Sequence, residues 1–394
     1  MTNVETFPDG FRWGTATAAH QIEGGNVNND WWRWEHTEGS GVAEPSGDAC
    51  DSWHRWDEDV DLVAGLGLDH YRFSLEWSRI EPAAGEWSTV AIDHYRRICD
   101  HLRERQIEPV VTFHHFTTPA WLAERGGWEK GETVERFGDF CHRSAAALGD
   151  SIGMACTLNE PNVVATMGYV MGMFPPGRGD SVAARTVSGN FVTAHRTSVD
   201  AIRAAVPGLP VGLTLSMTDY QPVEGGEERA AHIRSVHEDP FLDACAGDDF
   251  LGVQTYTRML IGPEGWVGPE PGVAILPMGY ELWPDALAAC LRRAWEVTGG
   301  KVPLWVTENG IGTDDDQQRI DFVRSALEGL LGAIGEGIDV RGYTYWSLLD
   351  NFEWAFGYRP KFGLVAVDRH TFERRPKPSA GWLSGVARSN RLPG

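Results

Sequence analysis

The feature that most constrains the fold is an alternation of short apolar runs with amphipathic stretches along the chain. The runs are rich in residues that favour strands, whereas most stretches between them follow a helical repeat. Eight strands are predicted: Phe11–Thr17, Asp69–Ser74, Glu108–His114, Gly153–Leu158, Pro210–Ser216, Phe250–Tyr256, Pro303–Thr307 and Gly342–Trp346. Eight such units predict an α/β chain folded as a (β/α)8 TIM barrel, with one domain over residues 1–394.

The helical pattern is clearest in five of the intervening stretches. They are Ala91–Arg105, Thr133–Leu148, Asn190–Ala205, Trp283–Thr298 and Gln317–Ile334. An open, doubly wound sheet is the alternative for such an alternation, but it needs a glycine-rich phosphate turn directly after its first strand. The pair Gly24-Gly25 lacks that fingerprint. The barrel is therefore favoured, with its active site expected at the C-terminal ends of the strands.

Hydrogen-bonding side chains recur where the predicted strands end. Along the chain they are Gln21, Arg72, His114-His115, Asn159-Glu160, Gln254 with Tyr256, and Glu308-Asn309, followed by Trp346 at the last strand. Burying so many polar groups is costly unless they meet a ligand or one another. Because a barrel gathers its strand ends at one rim, these side chains are predicted to share a site.

Two of these residues, Glu160 and Glu308, each follow a short apolar run and each lie beside an asparagine. A single glutamate in such a position is most often a cap or an ion-pair partner. Two carboxylates that face each other across a cleft are what cleavage of a glycosidic bond requires. The pair therefore predicts a glycosidase.

The composition restricts the partners of the chain. Lys plus Arg total 34 and Asp plus Glu total 56, and this net charge of −22 disfavours binding to nucleic acid or anionic membranes. The start of the chain lacks a signal-peptide pattern, and no run of about 18 apolar residues suggests a membrane span. Six scattered cysteines without CxxC spacing indicate reduced thiols in a cytoplasmic protein. Among 17 tryptophans, most are expected to pack in the core, and others suit a sugar ring.

Five segments carry a family signature in the order that the family shows. They are FRWGTATAAHQIEG from Phe11, YRFSLEWSRI from Tyr71, TLNEP from Thr157, TENG from Thr307 and WSLLDNFEW from Trp346. Together they resemble the family 1 glycoside hydrolases, the β-glucosidase family, over nearly the whole chain. The resemblance implies a retaining exo-β-glycosidase that removes terminal, non-reducing β-D-glycosyl units.

The resemblance also implies roles for individual residues. Glu308 would be the nucleophile and Glu160 the general acid/base, acting through a covalent glycosyl-enzyme intermediate. Arg72 and Tyr256 would lower the pKa of Glu308, whose charge would raise that of Glu160. Asn159 would support catalysis by binding the sugar 2-hydroxyl. The positions implied to bind substrate are Gln21, His115, Phe116, Gln254, Trp346, Glu353, Trp354 and Phe362.

No cofactor and no metal is expected at this site. The adjacent His114 and His115 could suggest a metal, but neighbouring strand residues point to opposite faces. The alternating His-x-His of metal-dependent barrel hydrolases is also missing after the first strand.

The substrate is expected to be a small neutral β-glycoside or oligosaccharide. Phospho-glycosidases of the family carry Ser, Lys and Tyr at the positions of Glu353, Pro360 and Phe362, and an acid at 353 would repel a 6-phosphate. Phe116 replaces a common Trp and Gln254 a common Asn, so the choice among glucose, galactose and fucose stays open. A transglycosylase and a non-hydrolytic sugar-binding protein are the functional alternatives, and no oligomeric state is predicted.

Overall fold

A closed barrel of eight parallel strands organises the computed structural model, which describes residues 6–393. Its strands are β1 (Arg12–Ala16), β2 (His70–Ser74), β3 (Glu108–His114), β4 (Met154–Asn159), β5 (Val211–Ser216), β6 (Phe250–Gln254), β7 (Leu304–Asn309) and β8 (Val340–Trp346). Each strand pairs with its neighbours in the chain, and β8 closes the ring on β1, with Ala16 opposite Trp346. The predicted (β/α)8 fold is confirmed.

Helices follow each strand and surround the barrel. They are α1 (Ser52–Leu66), α2 (Thr89–Glu104), α3 (Gly131–Leu148), α4 (Ser181–Ala205), α5 (Glu227–His237), α6 (Ala286–Val297), α7 (Asp316–Gly335) and α8 (Pro378–Ser389). Shorter helical segments lie in the connections: Ala19–Ile22, Asp30–Glu35, Trp77–Ile80, Ala120–Ala123, Gly127–Glu129, Gly149–Ser151, Pro161–Val163, Val164–Val170, Asp239–Ala244 and Trp354–Phe356. No helix of residues 6–393 combines the length and the apolar character that crossing a membrane requires.

Two small sheets extend the connections beyond the barrel. Asp219–Pro222, Arg258–Gly262 and Gly265–Trp266 form a three-stranded sheet after β5 and β6. Val365–Val367 pairs antiparallel with Arg374–Pro376 between β8 and α8.

The structure corrects several predicted boundaries. Strand ends differ by at most two residues, and the largest corrections include β7, which runs on to include Glu308 and Asn309. The predicted helix Asn190–Ala205 begins nine residues earlier, at Ser181. The reason is local, because the Asp180 side chain accepts hydrogen bonds from the backbone N–H groups of Val182 and Ala183 and so caps the helix.

The barrel interior changes character along its axis. Near the N-terminal ends of the strands it is filled by a buried apolar cluster: Val110, Met154, Cys156, Phe250 and Trp305. Above that layer lies Arg72, whose guanidinium is almost completely buried. A buried charge requires partners nearby, so the polar side chains at the C-terminal ends of the strands gather around it.

Candidate active site

One arginine connects the strands that form the site. Arg72 donates from Nη1 to Glu308 Oε1 and from Nη2 to Asn159 Oδ1, each at 2.5 Å. Its Nε donates to Thr112 Oγ1 at 3.0 Å, and Nη2 also reaches Thr214 Oγ1 at 3.3 Å. Arg72 on β2 therefore binds groups on β3, β4, β5 and β7, and it fixes the carboxylate of Glu308 relative to the barrel.

The second oxygen of Glu308 has a partner of its own. The Tyr256 hydroxyl donates to Glu308 Oε2 at 2.5 Å, so a cation and a phenol hold opposite sides of one carboxylate. Burial raises the pKa of Glu308, while Arg72 and Tyr256 lower it. Burial is the largest of the three effects, so the pKa of Glu308 is raised overall; the expectation from the sequence included the two lowering effects and left out the burial that reverses the net direction.

Glu160 follows β4 directly and lies beside this group. Gln254, at the end of β6, donates from Nε2 to Glu160 Oε1 at 2.8 Å. Burial and, secondly, the charge of Glu308 raise the pKa of Glu160 to about 8, and the bond from Gln254 acts in the opposite direction. The longer side chain of Gln254 therefore reaches the glutamate, and Glu160 carries its proton at neutral pH.

The backbone at Glu160 is held in an uncommon conformation. Its φ of 45° and ψ of 55° lie in the left-handed region, which costs a non-glycine residue about 1 kcal/mol or more. The surrounding bonds fix it: the Glu160 N–H donates to Thr214 O, and its carbonyl accepts from Val163 and Val164 as the next helix begins. Phe116 and Trp354 also have left-handed φ values, of 71° and 51°. Such strain is concentrated at functional sites in proteins.

A buried acceptor and a buried donor remain without partners in this pocket. The Gln21 amide nitrogen donates to Phe352 O at 2.8 Å and Asn351 Oδ1 at 3.1 Å, and its Oε1 is unpaired. Asn159 Nδ2 can only donate, so His115 Nε2, at 3.1 Å, accepts and the proton of the neutral ring lies on Nδ1. Nδ1 of His115 is also buried and unpaired. An acceptor and a donor of this kind match a hydroxyl group, which both donates and accepts.

Aromatic rings form the wall next to these groups. The His115 ring stacks on Trp346 at 5.7 Å and on Trp354 at 6.1 Å between ring centres. Phe116 packs on Trp354 at 5.0 Å, and Phe362 meets the Tyr256 ring edge-on at 5.9 Å. Glu353, beside Trp354, accepts from Gln21 Nε2 at 3.3 Å. Burial and the charges of Glu308 and Glu160 raise the pKa of Glu353 to about 8.

His114 points away from the site, as the strand alternation predicts. Its ring packs among Trp128, Phe137 and Phe191 between the barrel and the helices. Burial lowers its pKa to about 3, so it remains neutral. The structure thus brings together the catalytic and substrate-binding residues that the family resemblance implies, and it places His114 outside the site, on the other face of the strand from His115.

Tyr280 lies close enough to Glu353 and Glu160 for their charges to act on it, and sequence reasoning missed it. It lies in the long connection after β6, where burial and, after it, the charges of Glu353 and Glu160 raise the pKa of its hydroxyl. A cavity of about 260 Å³ extends from Tyr280 along Met278 and Met259 to the exposed Trp266. The only sequence signal for Tyr280 was its position in a connection after a barrel strand, because such connections form the rim of the site.

A closed parallel barrel with two buried glutamates among hydroxyl-matching groups at its rim defines an enzyme that acts on glycosides. The chain matches the sequence profile described as Glycosyl hydrolase family 1 over residues 3–259 and 270–392. It belongs to glycosyl hydrolase family 1.

Three relatives illustrate this membership. The crystal structure of the β-glycosidase BGL167 is 48% identical, with a TM-score of 0.91 over 98% of both chains. The β-glucosidase from Thermotoga maritima in complex with deoxynojirimycin is 31% identical, with a TM-score of 0.93 over 99% of this chain and 100% of that one. A bifunctional β-D-glucosidase/β-D-fucosidase from Bifidobacterium breve is 35% identical over 95% of this chain and 97% of its own.

Proposed function

We propose that this protein is a retaining exo-β-glycosidase of the β-glucosidase type, which acts as one domain by double displacement. The observation that carries the proposal is the unequal environment of two neighbouring glutamates. Arg72 and Tyr256 stabilise charge on Glu308, whereas burial and that charge keep a proton on Glu160. A nucleophile and a general acid need this difference in protonation.

In the first step, Glu308 attacks the anomeric carbon as the bond to the leaving oxygen breaks. Glu160 gives its proton to that oxygen, and the aglycone departs as an alcohol. Glu308 is then an ester, so the charge that raised the pKa of Glu160 is gone. Glu160, now ionised, takes a proton from water, the water attacks the anomeric carbon, and Glu308 is released. Two inversions give net retention.

The pocket suits a terminal sugar with several hydroxyl groups. We assign one hydroxyl to the unpaired Gln21 Oε1 and His115 Nδ1, and the 2-hydroxyl to Asn159, whose partners fix its orientation. Trp346 would pack on the apolar face of the ring. Glu353, Trp354, Phe116, Gln254 and Phe362 complete the proposed substrate-binding set.

A neutral glycone is the best fit to the charges of the pocket. The negative charge of Glu308 already raises the pKa values of Glu160 and Glu353, so a phosphate or carboxylate on the sugar would meet a like charge at Glu308. The relatives named as a β-glucosidase and a β-D-glucosidase/β-D-fucosidase support glucosides first and fucosides second. Six buried cysteines, all free thiols, support function in a reducing compartment such as the cytoplasm.

The test replaces each glutamate separately. Glu160→Ala and Glu308→Gly should lose nearly all turnover of nitrophenyl β-glucoside with an unchanged circular dichroism spectrum. Glu328→Ala, on the exposed face of α7, is the control and should keep full activity. With azide added, Glu160→Ala should give a β-glycosyl azide through the intermediate, whereas Glu308→Gly should give the α-anomer by direct displacement. The reverse assignment of anomers would exchange the two roles.

Two further measurements test the stereochemistry and the sugar. Proton NMR of the first product should show the β-anomer of glucose before mutarotation, and an α-anomer would refute the retaining mechanism. Comparison of kcat/KM on nitrophenyl β-glucoside, β-fucoside, β-galactoside and β-mannoside should rank glucoside and fucoside highest. A preference for the mannoside would contradict the proposed hydroxyl-binding set.

A further inference from the structure

A second group of reactive side chains lies outside the barrel, between α4 and the turn that follows the helix Asp239–Ala244. His195, Cys245 and Asp248 each offer one atom to this group, and the three atoms lie within 4.8 Å of one another. The side chains of His195 and Asp248 are 0% and 4% exposed, and Cys245 is 0% exposed. Such a group of three ligand types is found once in the described residues 6–393.

Two atoms of this group are buried without a hydrogen bond. His195 Nε2 and Asp248 Oδ2 lie 3.1 Å apart, yet neither has a partner with hydrogen-bond geometry. On the other side of the ring, His195 Nδ1 contacts Thr157 Oγ1 at 2.8 Å, and that hydroxyl donates towards Gly212 O at 3.5 Å. Thr157 Oγ1 thus holds the Nδ1 side of the ring, and Nε2 is the nitrogen that faces the carboxylate. A buried imidazole nitrogen and a buried carboxylate oxygen placed in this way are donor atoms that a cation between them would bind.

We propose that His195, Cys245 and Asp248 bind a divalent metal ion of the zinc type. An imidazole nitrogen, a thiolate and a carboxylate are the ligands that zinc prefers. A separation of 3.1 Å between nitrogen and oxygen fits a tetrahedral site, in which bonds of about 2.0 Å place ligands roughly 3.3 Å apart. Cys245 gives up its hydrogen bond to Phe241 O, at 3.2 Å, and releases its thiol proton to solvent on binding. The thiolate and the carboxylate then balance the two positive charges, so no net charge is buried.

The site would stabilise the outer layer of the barrel. It joins α4 to the Cys245–Asp248 turn, and Thr157 connects it to β4, the strand that ends at Asn159 beside Glu160. The Thr157 contact also holds the orientation of the His195 ring, as hydrogen bonds to ligand histidines do at metal sites. The proposal is independent of the glycosidase reaction, which needs no metal in the scheme above.

The experiment loads the site while the protein folds. The full chain is produced in medium supplemented with Co²⁺, which gives a thiolate-to-cobalt charge-transfer band when a cysteine is a ligand. Purified wild-type protein should contain about one cobalt per chain and show this band. Partial unfolding in the presence of a chelator should remove the metal and the band, and the refolded protein should have a lower Tm. Added Zn²⁺ should restore the Tm.

Matched variants make the test specific. Cys245→Ser should lose the band and at least tenfold of the bound metal, whereas Cys99→Ser, at an equally buried thiol on α2, should keep both. Asp248→Asn is a second variant that preserves shape, and it should weaken metal retention with an unchanged circular dichroism spectrum. Wild-type protein without bound cobalt, or equal uptake by Cys245→Ser, would overturn the proposal, and His195 and Asp248 would then be a simple ion pair.

Discussion

The hydroxyl of Tyr256 gives the sharpest test of how this site sets the charge of Glu308. It donates to Glu308 Oε2 at 2.5 Å and is one of the two groups that lower the pKa of that carboxyl. Tyr256→Phe removes only the oxygen, because the remaining ring still packs edge-on against Phe362. The ionised form of Glu308 loses a donor, so its pKa must rise.

The size of this shift follows from the energy of the lost bond. A hydrogen bond to a charged group contributes about 1.5–3 kcal/mol, and one pKa unit corresponds to about 1.4 kcal/mol. The pKa of Glu308 should therefore rise by roughly 1–2 units. With Glu308 as the proposed nucleophile, the acidic limb of the kcat/KM profile reports its ionisation in the free enzyme, so this limb should move by the same amount towards higher pH.

The assay is a kcat/KM profile on nitrophenyl β-glucoside from pH 4 to pH 9 for wild type and variants. Tyr343→Phe is the matched control, because the Tyr343 hydroxyl donates to Asn309 Oδ1 at 2.9 Å. This removes a hydroxyl that bonds to the residue beside Glu308, without removing a bond to the Glu308 carboxylate. That control should keep the acidic limb of the wild type. A limb that stays in place or moves to lower pH in Tyr256→Phe would refute the reasoning, as would an equal shift in both variants.

Three further predictions concern stability. The pKa of Glu160 is about 8 in the folded state against 4.5 ordinarily, so the folded state binds more protons between these pH values and the free energy of unfolding falls as pH rises. The slope is at most roughly 1.4 kcal/mol per pH unit. Urea unfolding at pH 5 and pH 8 should show this slope in the wild type and its loss in Glu160→Gln. Arg374→Met leaves the buried Asp59, its partner at 2.9 Å, without a cation and should cost about 3–5 kcal/mol in unfolding free energy. Adding Asp59→Asn should recover much of that loss, and no recovery would argue against an unpaired charge as its cause. Phe174→Ala, which removes a ring 4.7 Å from Trp31, should lower the free energy of unfolding by about 3 kcal/mol in the same assay. A loss under about 1 kcal/mol would mean that the surrounding chain collapses into the cavity.

The fold could be predicted because its information is local. Each strand reads as a short apolar run and each clear helix as an amphipathic repeat, and the barrel follows from their number and alternation. The position of Glu308 at a strand end was likewise visible. The early start of α4 also has a signal in the sequence, because Asp180 precedes Ser181 as a helix cap. The helical repeat of apolar residues alone did not indicate it.

The remaining features depend on contacts between distant parts of the chain. Arg72 and Glu308 are 236 residues apart, and only the family resemblance implied their pairing, because nothing in the sequence near either residue indicates the 2.5 Å contact. Burial raises the pKa of Glu308 by more than Arg72 and Tyr256 lower it. This could be predicted only from knowledge of how much of the chain covers the carboxyl. The place of Tyr280 depends on the path of a long connection, and loop paths are not encoded by periodicity.

The many contacts of Arg72 have a consequence for how this enzyme could change. The same guanidinium that binds the Glu308 carboxylate also connects five of the eight strands of the barrel, so its position is fixed by the scaffold. A change in the position of the Glu308 carboxylate through Arg72 would therefore disturb the barrel itself. New substrate specificities are therefore more accessible through the connections at the rim, such as the one that carries Tyr280. Substitutions there can alter the rim and leave the contacts of Arg72 unchanged.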